Sequence, residues 1–248
     1  MTRLRIGLGV VALALASACS VAGVSCALPS APPEGEAGVN AGSPGVGEGT
    51  GSSASAVTIA FLGDSLTAGL GLMSEQAYPA IVEELFHEEG YAEVGVLNAG
   101  VSGDTTAGGL RRVDALLEPD VRIVVVALGG NDALRGLTTL QTRENLVAII
   151  DRVLGSGREV LLAGMLAPTN LGPDYQGAFR DVFLQLAASY GDRIEFVPFL
   201  LEGVAGNPAL NLADGIHPNP DGQRLIAALV YPRLRVLVDL VSSGGGGA

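Results

Sequence analysis

Residues 122–128, "RIVVVAL", are apolar at every position after Arg122 and rich in β-branched side chains. A strand that is apolar on both faces has to be covered on both sides, which is the situation of a central strand in a parallel sheet. Four more short apolar runs accompany it: Val57–Leu62, Val94–Asn98, Glu159–Met165 and Ile194–Val197. Stretches of helical periodicity over 77–89, 106–117, 139–155, 176–190 and 220–238 separate and follow these runs. Strand followed by helix, five times and without an internal repeat, predicts an α/β fold. Its expected form is a three-layer α/β/α arrangement around a five-stranded, parallel, flavodoxin-like sheet.

In such a sheet ligands bind beyond the carboxyl ends of the strands, so the segments that follow the strands are where chemistry is expected. Those segments read "GDSLTAG" after the first strand, "AGVSGDTT" after the second, "GGND" after the third, and "DGIHPN" ahead of the last helix. Each combines glycine with polar side chains.

The remainder of the chain limits what these loops can do. The only two cysteines, Cys19 and Cys26, fall in an N-terminal stretch, so residues 57–240 can hold neither a disulfide nor a cysteine-ligated metal. Arg3 and Arg5 precede an apolar run, Ile6–Ala16, and then small residues, which is the layout of a secretory leader over residues 1–26. "ASAC" at 16–19 resembles the bacterial lipobox, with Ala16 where leucine is usual, which would put a lipid on Cys19 and tether the exported protein to a membrane in the cell envelope. Residues 27–56, rich in Gly, Pro, Ser and Ala, offer almost nothing to bury and read as a flexible tether, and 241–248 read as a tail. The net charge is −12 and all 14 basic residues are arginines spread along the chain rather than gathered into a patch, which excludes nucleic acid as a partner and electrostatic docking on anionic lipid.

Acyl transfer by a serine hydrolase needs a hydroxyl, an imidazole, a carboxylate to orient it, and donors for the oxyanion. Histidine is the scarcest of these, with only His87 and His217 in the chain. In "PAIVEELFHEEG", Ile81, Val82, Leu85 and Phe86 make the apolar stripe while His87 shares the other face with Glu83, Glu84 and Glu88, so His87 is expected on the solvated surface. His217 lies three residues after Asp214, in a loop whose shape Pro218 restricts, just before a helix with Asn219 as N-cap and Pro220 at its first position. Taken alone, Asp214 and His217 are either a catalytic pair or the caps of a turn. Ser65, at the end of the first strand, is either a nucleophile or a turn serine, and Ser102 competes with it. There is no G-x-S-x-G, so the nucleophile elbow of the α/β-hydrolase fold is excluded. Oxyanion donors are available from the backbone N–H of Ser65 and of Gly103 and from the side-chain amide of Asn131, which otherwise serves an Asx-turn. Asp132 is expected to brace that turn.

"GDSLTAGLGL", "NAGVSGDTTAGGL", "ALGGNDALRGL", "AGMLAPTNLGPDY", "VPFLLEGVAG" and "LADGIHPNPDGQ" together resemble the SGNH, or GDSL, hydrolase family over residues 57–240, close to its bacterial arylesterase and multifunctional thioesterase/lysophospholipase branch. The resemblance implies Ser65, Asp214 and His217 as the triad and Ser65, Gly103 and Asn131 as the oxyanion hole. It further implies hydrolysis of carboxylic oxygen esters or thioesters, such as aryl esters, acyl-CoA or lysophospholipids, through an acyl-enzyme, with no cofactor and no metal. In that branch the segment after "GGND" contacts the acyl chain. Leu70, Leu134, Leu137 and Leu166, with Leu72 and Leu171, are the candidates to line an acyl channel, packing of the loops on the sheet being the alternative.

A carbohydrate or short-chain acetylesterase would share the same loops. A non-catalytic envelope lipoprotein would use the fold only as a scaffold. A flavodoxin-like cofactor binder would place "GDSLTAG" around a phosphate, but the chain has no Trp and only 4% aromatic residues to sandwich a flavin.

Overall fold

The computed structural model describes residues 57–243. The leader at 1–26, with Cys19, the tether at 27–56 and the last residues, 244–248, lie outside the described residues. Five strands form one sheet: β1 (Val57–Gly63), β2 (Val94–Gly100), β3 (Val121–Ala127), β4 (Glu159–Ala163) and β5 (Glu195–Val197). All four neighbouring pairs are parallel and the spatial order is β2-β1-β3-β4-β5. The helices are α1 (Ser65–Ala68), α2 (Tyr78–Glu88), α3 (Thr106–Arg112), α4 (Gly130–Leu134), α5 (Thr139–Gly155), α6 (Pro173–Tyr190) and α7 (Pro220–Ser243). α2 and α7 pack together against one face of the sheet, and α3, α5 and α6 pack in sequence on the other. The three-layer, five-stranded parallel arrangement expected from the sequence is thus the one observed.

β3 shows why "RIVVVAL" constrains the fold so strongly: Ile123, Val124, Val125, Val126, Ala127 and Leu128 are all fully buried, because helices cover the strand from above and below. β1 contributes Ile59, Ala60, Phe61 and Leu62 to the same core. At about 0.8 kcal/mol per buried methylene, this central pair of strands supplies much of the apolar driving force.

The sheet order determines where the site lies. The chain passes from β1 outward to β2 and then returns across β1 to reach β3, so the connections leaving β1 and β3 diverge to opposite faces. The carboxyl ends of these two strands are therefore the topological switch point, the place at which the crevice of a doubly wound sheet binds ligands. Ser65 follows β1 and Asn131 follows β3.

Most boundaries fall within two residues of the sequence-based expectation, and three differ by more. α6 begins at Pro173 rather than 176, since proline is favoured in the first turn of a helix, where its missing N–H costs nothing. The expected 106–117 helix tightens into a 3-10 turn, Val113–Leu116, before β3. α7 continues to Ser243, so residues 241–243 are helix rather than tail. The apolar spacing Leu234, Leu237, Val238 and Val241 keeps facing the core, and Val241 is buried. Among the described residues no helix is long and apolar enough to cross a membrane.

Candidate active site

The apolar run of β1 ends at Gly63, and Asp64 then starts α1 as its N-cap, its Oδ1 accepting the Leu66 N–H at 3.0 Å. Ser65 is therefore the first residue of a one-turn helix that projects past the strand end. Helices this short leave most of their backbone groups without internal partners, and here distant side chains supply them. Asn98 Nδ2 donates to the Thr67 carbonyl at 2.9 Å. Gln223 Nε2, from α7, donates to the Leu66 carbonyl at 3.2 Å, while its Oε1 accepts the Tyr78 N–H at 2.9 Å. The Thr67 hydroxyl pairs with the buried Tyr78 hydroxyl at 2.9 Å, and burial pushes the Tyr78 phenol well above its ordinary range. Gly100 lies so close beneath α1 that a Cβ there would run into the Ala68 backbone.

The turn that bears His217 is shaped by Asp214. Its Oδ1 accepts the backbone N–H of Ile216 at 2.9 Å and of His217 at 3.0 Å, and its Oδ2 lies 2.7 Å from His217 Nδ1. One carboxylate thus fixes both the loop and the ring, which explains the three-residue spacing. Those two backbone N–H bonds, and then the imidazole, hold the Asp214 carboxyl down at about 2. Being ionised, it can only accept, so Nδ1 carries the proton and Nε2 is left as the acceptor. Ser65 Oγ lies 2.9 Å from that nitrogen. The Leu212 N–H to His217 carbonyl bond, 2.7 Å, and the Asn211–Pro218 bridge anchor the loop, and Asn219 Oδ1 caps α7 by accepting from Asp221 and Gly222 at 3.0 Å each.

The structure brings Ser65, His217 and Asp214 into one hydrogen-bonded row. Ser102 is exposed and has no bond to the ring. His87 stands on the exposed surface as expected, tied through Nε2 to the Val94 carbonyl at 2.8 Å. That carbonyl belongs to the first residue of β2, at the end of the sheet remote from Ser65.

Gly103 adopts φ +80°, a left-handed conformation that favours glycine. Its carbonyl accepts from Arg135 at 2.6 Å. Asn131 Nδ2 donates to the Asp104 carbonyl at 2.9 Å and to Asp64 Oδ2 at 3.2 Å, so the amide sits between the Ser65 and Gly103 segments. Asp132 is fully buried and accepts from the Thr106 N–H at 2.9 Å, from the Thr106 hydroxyl and from the Thr142 hydroxyl at 3.4 Å. It braces α3, α4 and α5 around the Asn131 turn, the role the sequence suggested.

Three residues with a bearing on the site were not singled out from sequence. Arg112 donates to the Gly63 carbonyl at 2.9 Å, to the Ala99 carbonyl at 2.6 Å and to Asp104 at 2.8 Å, clamping the ends of β1 and β2 to the Gly103 loop. Gln223 joins the helix after His217 to the helix that bears Ser65. Asp64 is nearly inaccessible, and burial is the main force that pushes its carboxyl up from 3.8 to about 6; the Leu66 N–H, His217 and Asn131 oppose that rise and Asp104 adds to it.

A carboxyl whose value is raised by folding contributes stability below its unfolded value and loses it as pH rises through the folded one. The shift amounts to about 3 kcal/mol. Relative to Asp64→Asn, the wild type should therefore lose about that much unfolding free energy between pH 4 and pH 7, read by urea denaturation. Parallel pH curves for the two proteins would contradict this.

The candidate acyl-channel leucines divide in the structure. Leu70, Leu134 and Leu166 are exposed in the segments that follow β1, β3 and β4, with Leu134 the most exposed at 57%. Leu137 is half-buried and its carbonyl accepts the Tyr175 hydroxyl at 2.7 Å. Leu171 packs against the core, as the packing alternative expected. Among the described residues no group of three or more His, Cys, Asp or Glu side chains gathers to hold a metal ion.

A parallel sheet with a hydroxyl, imidazole and carboxylate in line at its carboxyl edge is the architecture of a hydrolase of the serine type. The chain belongs to the GDSL-like lipase/acylhydrolase family, which it matches over residues 61–225. It is 42% identical over 186 residues to esterase TesA of Pseudomonas aeruginosa, covering 75% of this chain and 91% of that protein. To thioesterase 1/protease 1/lysophospholipase L1 of Escherichia coli it is 38% identical over 187 residues, covering 75% and 87%. The crystal structure of TesA matches with a TM-score of 0.68 at 42% identity, over 73% of this chain and 99% of that one. The protein is accordingly a serine esterase, a carboxylic ester hydrolase of the SGNH family.

Proposed function

We propose that Ser65 attacks the acyl carbonyl of an oxygen ester or thioester while His217 Nε2 takes its proton and then protonates the leaving group. Asp214 holds the ring in the tautomer this requires and balances the imidazolium charge. The backbone N–H groups of Ser65 and Gly103 and the amide of Asn131 stabilise the tetrahedral oxyanion. Water activated by His217 then releases the acyl group from Ser65. The observation that carries this reading is the unbroken row from Asp214 Oδ2 to His217, 2.7 Å, and from His217 to Ser65 Oγ, 2.9 Å.

Leu70, Leu134, Leu137 and Leu166 receive the acyl chain, and the exposure of three of them supports that assignment: apolar side chains held in water in the loops that follow the strands gain by covering an apolar ligand. Arg135 is the one cation in these segments, so neutral acyl groups are favoured over highly charged ones. Residues 57–243 form the hydrolase domain, and the leader's layout supports export, with a lipid on Cys19 as the membrane tether.

An acyl-length series of p-nitrophenyl esters tests the assignment. Each added methylene contributes about 0.8 kcal/mol, so kcat/KM should rise roughly fourfold per methylene from acetyl until the channel is full. A steady fall from acetyl onwards would contradict an acyl channel and favour a short-chain or carbohydrate acetylesterase.

A further inference from the structure

Asn131 poses a problem that the triad does not address. The far end of an asparagine side chain turns easily about its last torsion, and its two ends have opposite character: the NH₂ group would stabilise an oxyanion, whereas the carbonyl oxygen would repel one. Something has to select the productive orientation. In this site both amide hydrogens have acceptors, the Asp104 carbonyl at 2.9 Å and Asp64 Oδ2 at 3.2 Å. Two acceptors on one side of the amide compel the NH₂ end to face them.

Asp64 has a second attachment. Its other oxygen accepts the Leu66 N–H and so starts the helix on which Ser65 stands. A single buried carboxylate therefore touches both the segment carrying the attacking hydroxyl and the amide beside it. We propose that Asp64 is a positioning residue that holds the Asn131 amide with its NH₂ end toward the oxyanion site, in register with Ser65. Resting on the reading of Asn131 as an oxyanion donor, this gives the aspartate of "GDS" a role beyond helix capping. The longer of the two bonds, the one to Asp64, is the one a developing oxyanion can share. That the fold retains a carboxylate which burial works against fits a demand made by the chemistry rather than by stability.

A double-mutant cycle on the full chain tests it. Asp64→Ser retains a side chain able to cap α1 but loses the acceptor for Asn131. Asn131→Ala should lower kcat by roughly 10²- to 10³-fold, the usual loss for one oxyanion donor. Asp64→Ser should lower kcat at least about 10-fold with KM unchanged, and the double variant should be slower than Asn131→Ala by no more than about threefold, because an amide that is absent needs no positioning. If the two losses multiply, or if Asp64→Ser retains wild-type kcat, Asp64 does not act through Asn131 and the inference is overturned while the oxyanion assignment stands. An unchanged kcat in Asn131→Ala would overturn both together. Should thermal denaturation show that Asp64→Ser does not fold, Asp64→Asn takes its place under the same criteria, since it retains the shape but offers one acceptor oxygen instead of two.

Discussion

Ser65→Ala is expected to lower kcat by roughly 10⁶-fold while leaving the fold intact, the scale on which removal of the nucleophile from a serine triad acts. Two features underlie this expectation. Among the described residues the Ser65 hydroxyl has one partner, His217 Nε2, and no role in the bonds that hold α1, which run instead through Asp64, Asn98, Gln223 and the Thr67–Tyr78 pair. Its removal takes away the reacting atom without loosening the helix that carries it. The melting temperature should therefore match that of the wild type, and residual hydrolysis should be only what the oxyanion donors and substrate binding sustain. If Ser65→Ala retains near-normal turnover while Ser102→Ala loses it, the nucleophile has been misassigned.

His217→Ala should cost about as much as Ser65→Ala, and the double variant should be no slower than either alone, because hydroxyl and imidazole act as a unit. The ring occupies the one place where a base meets Ser65. Its backbone is held independently, by the Leu212 N–H bond to its carbonyl and by Asp214 Oδ1 on its N–H, so the loop should survive loss of the ring. Steady-state kinetics of the two single variants and the double variant measure this directly. Multiplying losses would mean that Ser65 and His217 serve separate steps, which the 2.9 Å contact between them does not allow for.

Much of the fold was legible because its signals are local. "RIVVVAL" is apolar on both faces, and the 139–155 helix shows its apolar period over several turns, with the Thr138–Gln141 capping box found at its start in the structure. The helices α1 and α4 were not legible: at four and five residues they are too short to show a helical period. Asp214 and His217 stood out because they share one turn and because histidine is scarce, but the residues alone left the pair and the choice between Ser65 and Ser102 open, and the triad came from the resemblance of the loops to the SGNH family. Arg112 could not, since the groups it clamps, the carbonyls of Gly63 and Ala99, are backbone atoms from two separate strands and leave no side-chain pattern. Gln223 is hidden for the same reason, one side chain bridging Leu66 and Tyr78 from the far end of the chain. Asp64 had a visible cue, an aspartate just before a short polar turn, but its second bond, to Asn131, depends on β1 and β3 lying side by side and exists only in three dimensions. Leu171 and Leu166, five residues apart in one loop, illustrate the remaining limit: hydrophobicity alone does not say which packs inward and which stays exposed.

Ser65 as a nucleophile activated by His217 is the claim on which everything else depends, and a fluorophosphonate tests it most directly, since only an activated serine displaces its fluoride readily. The expected result is one adduct per chain by intact-protein mass, mapped to the peptide containing Ser65 and absent from Ser65→Ala and His217→Ala. An adduct on Ser102 or any other residue, or an equal rate of labelling in His217→Ala, would contradict it.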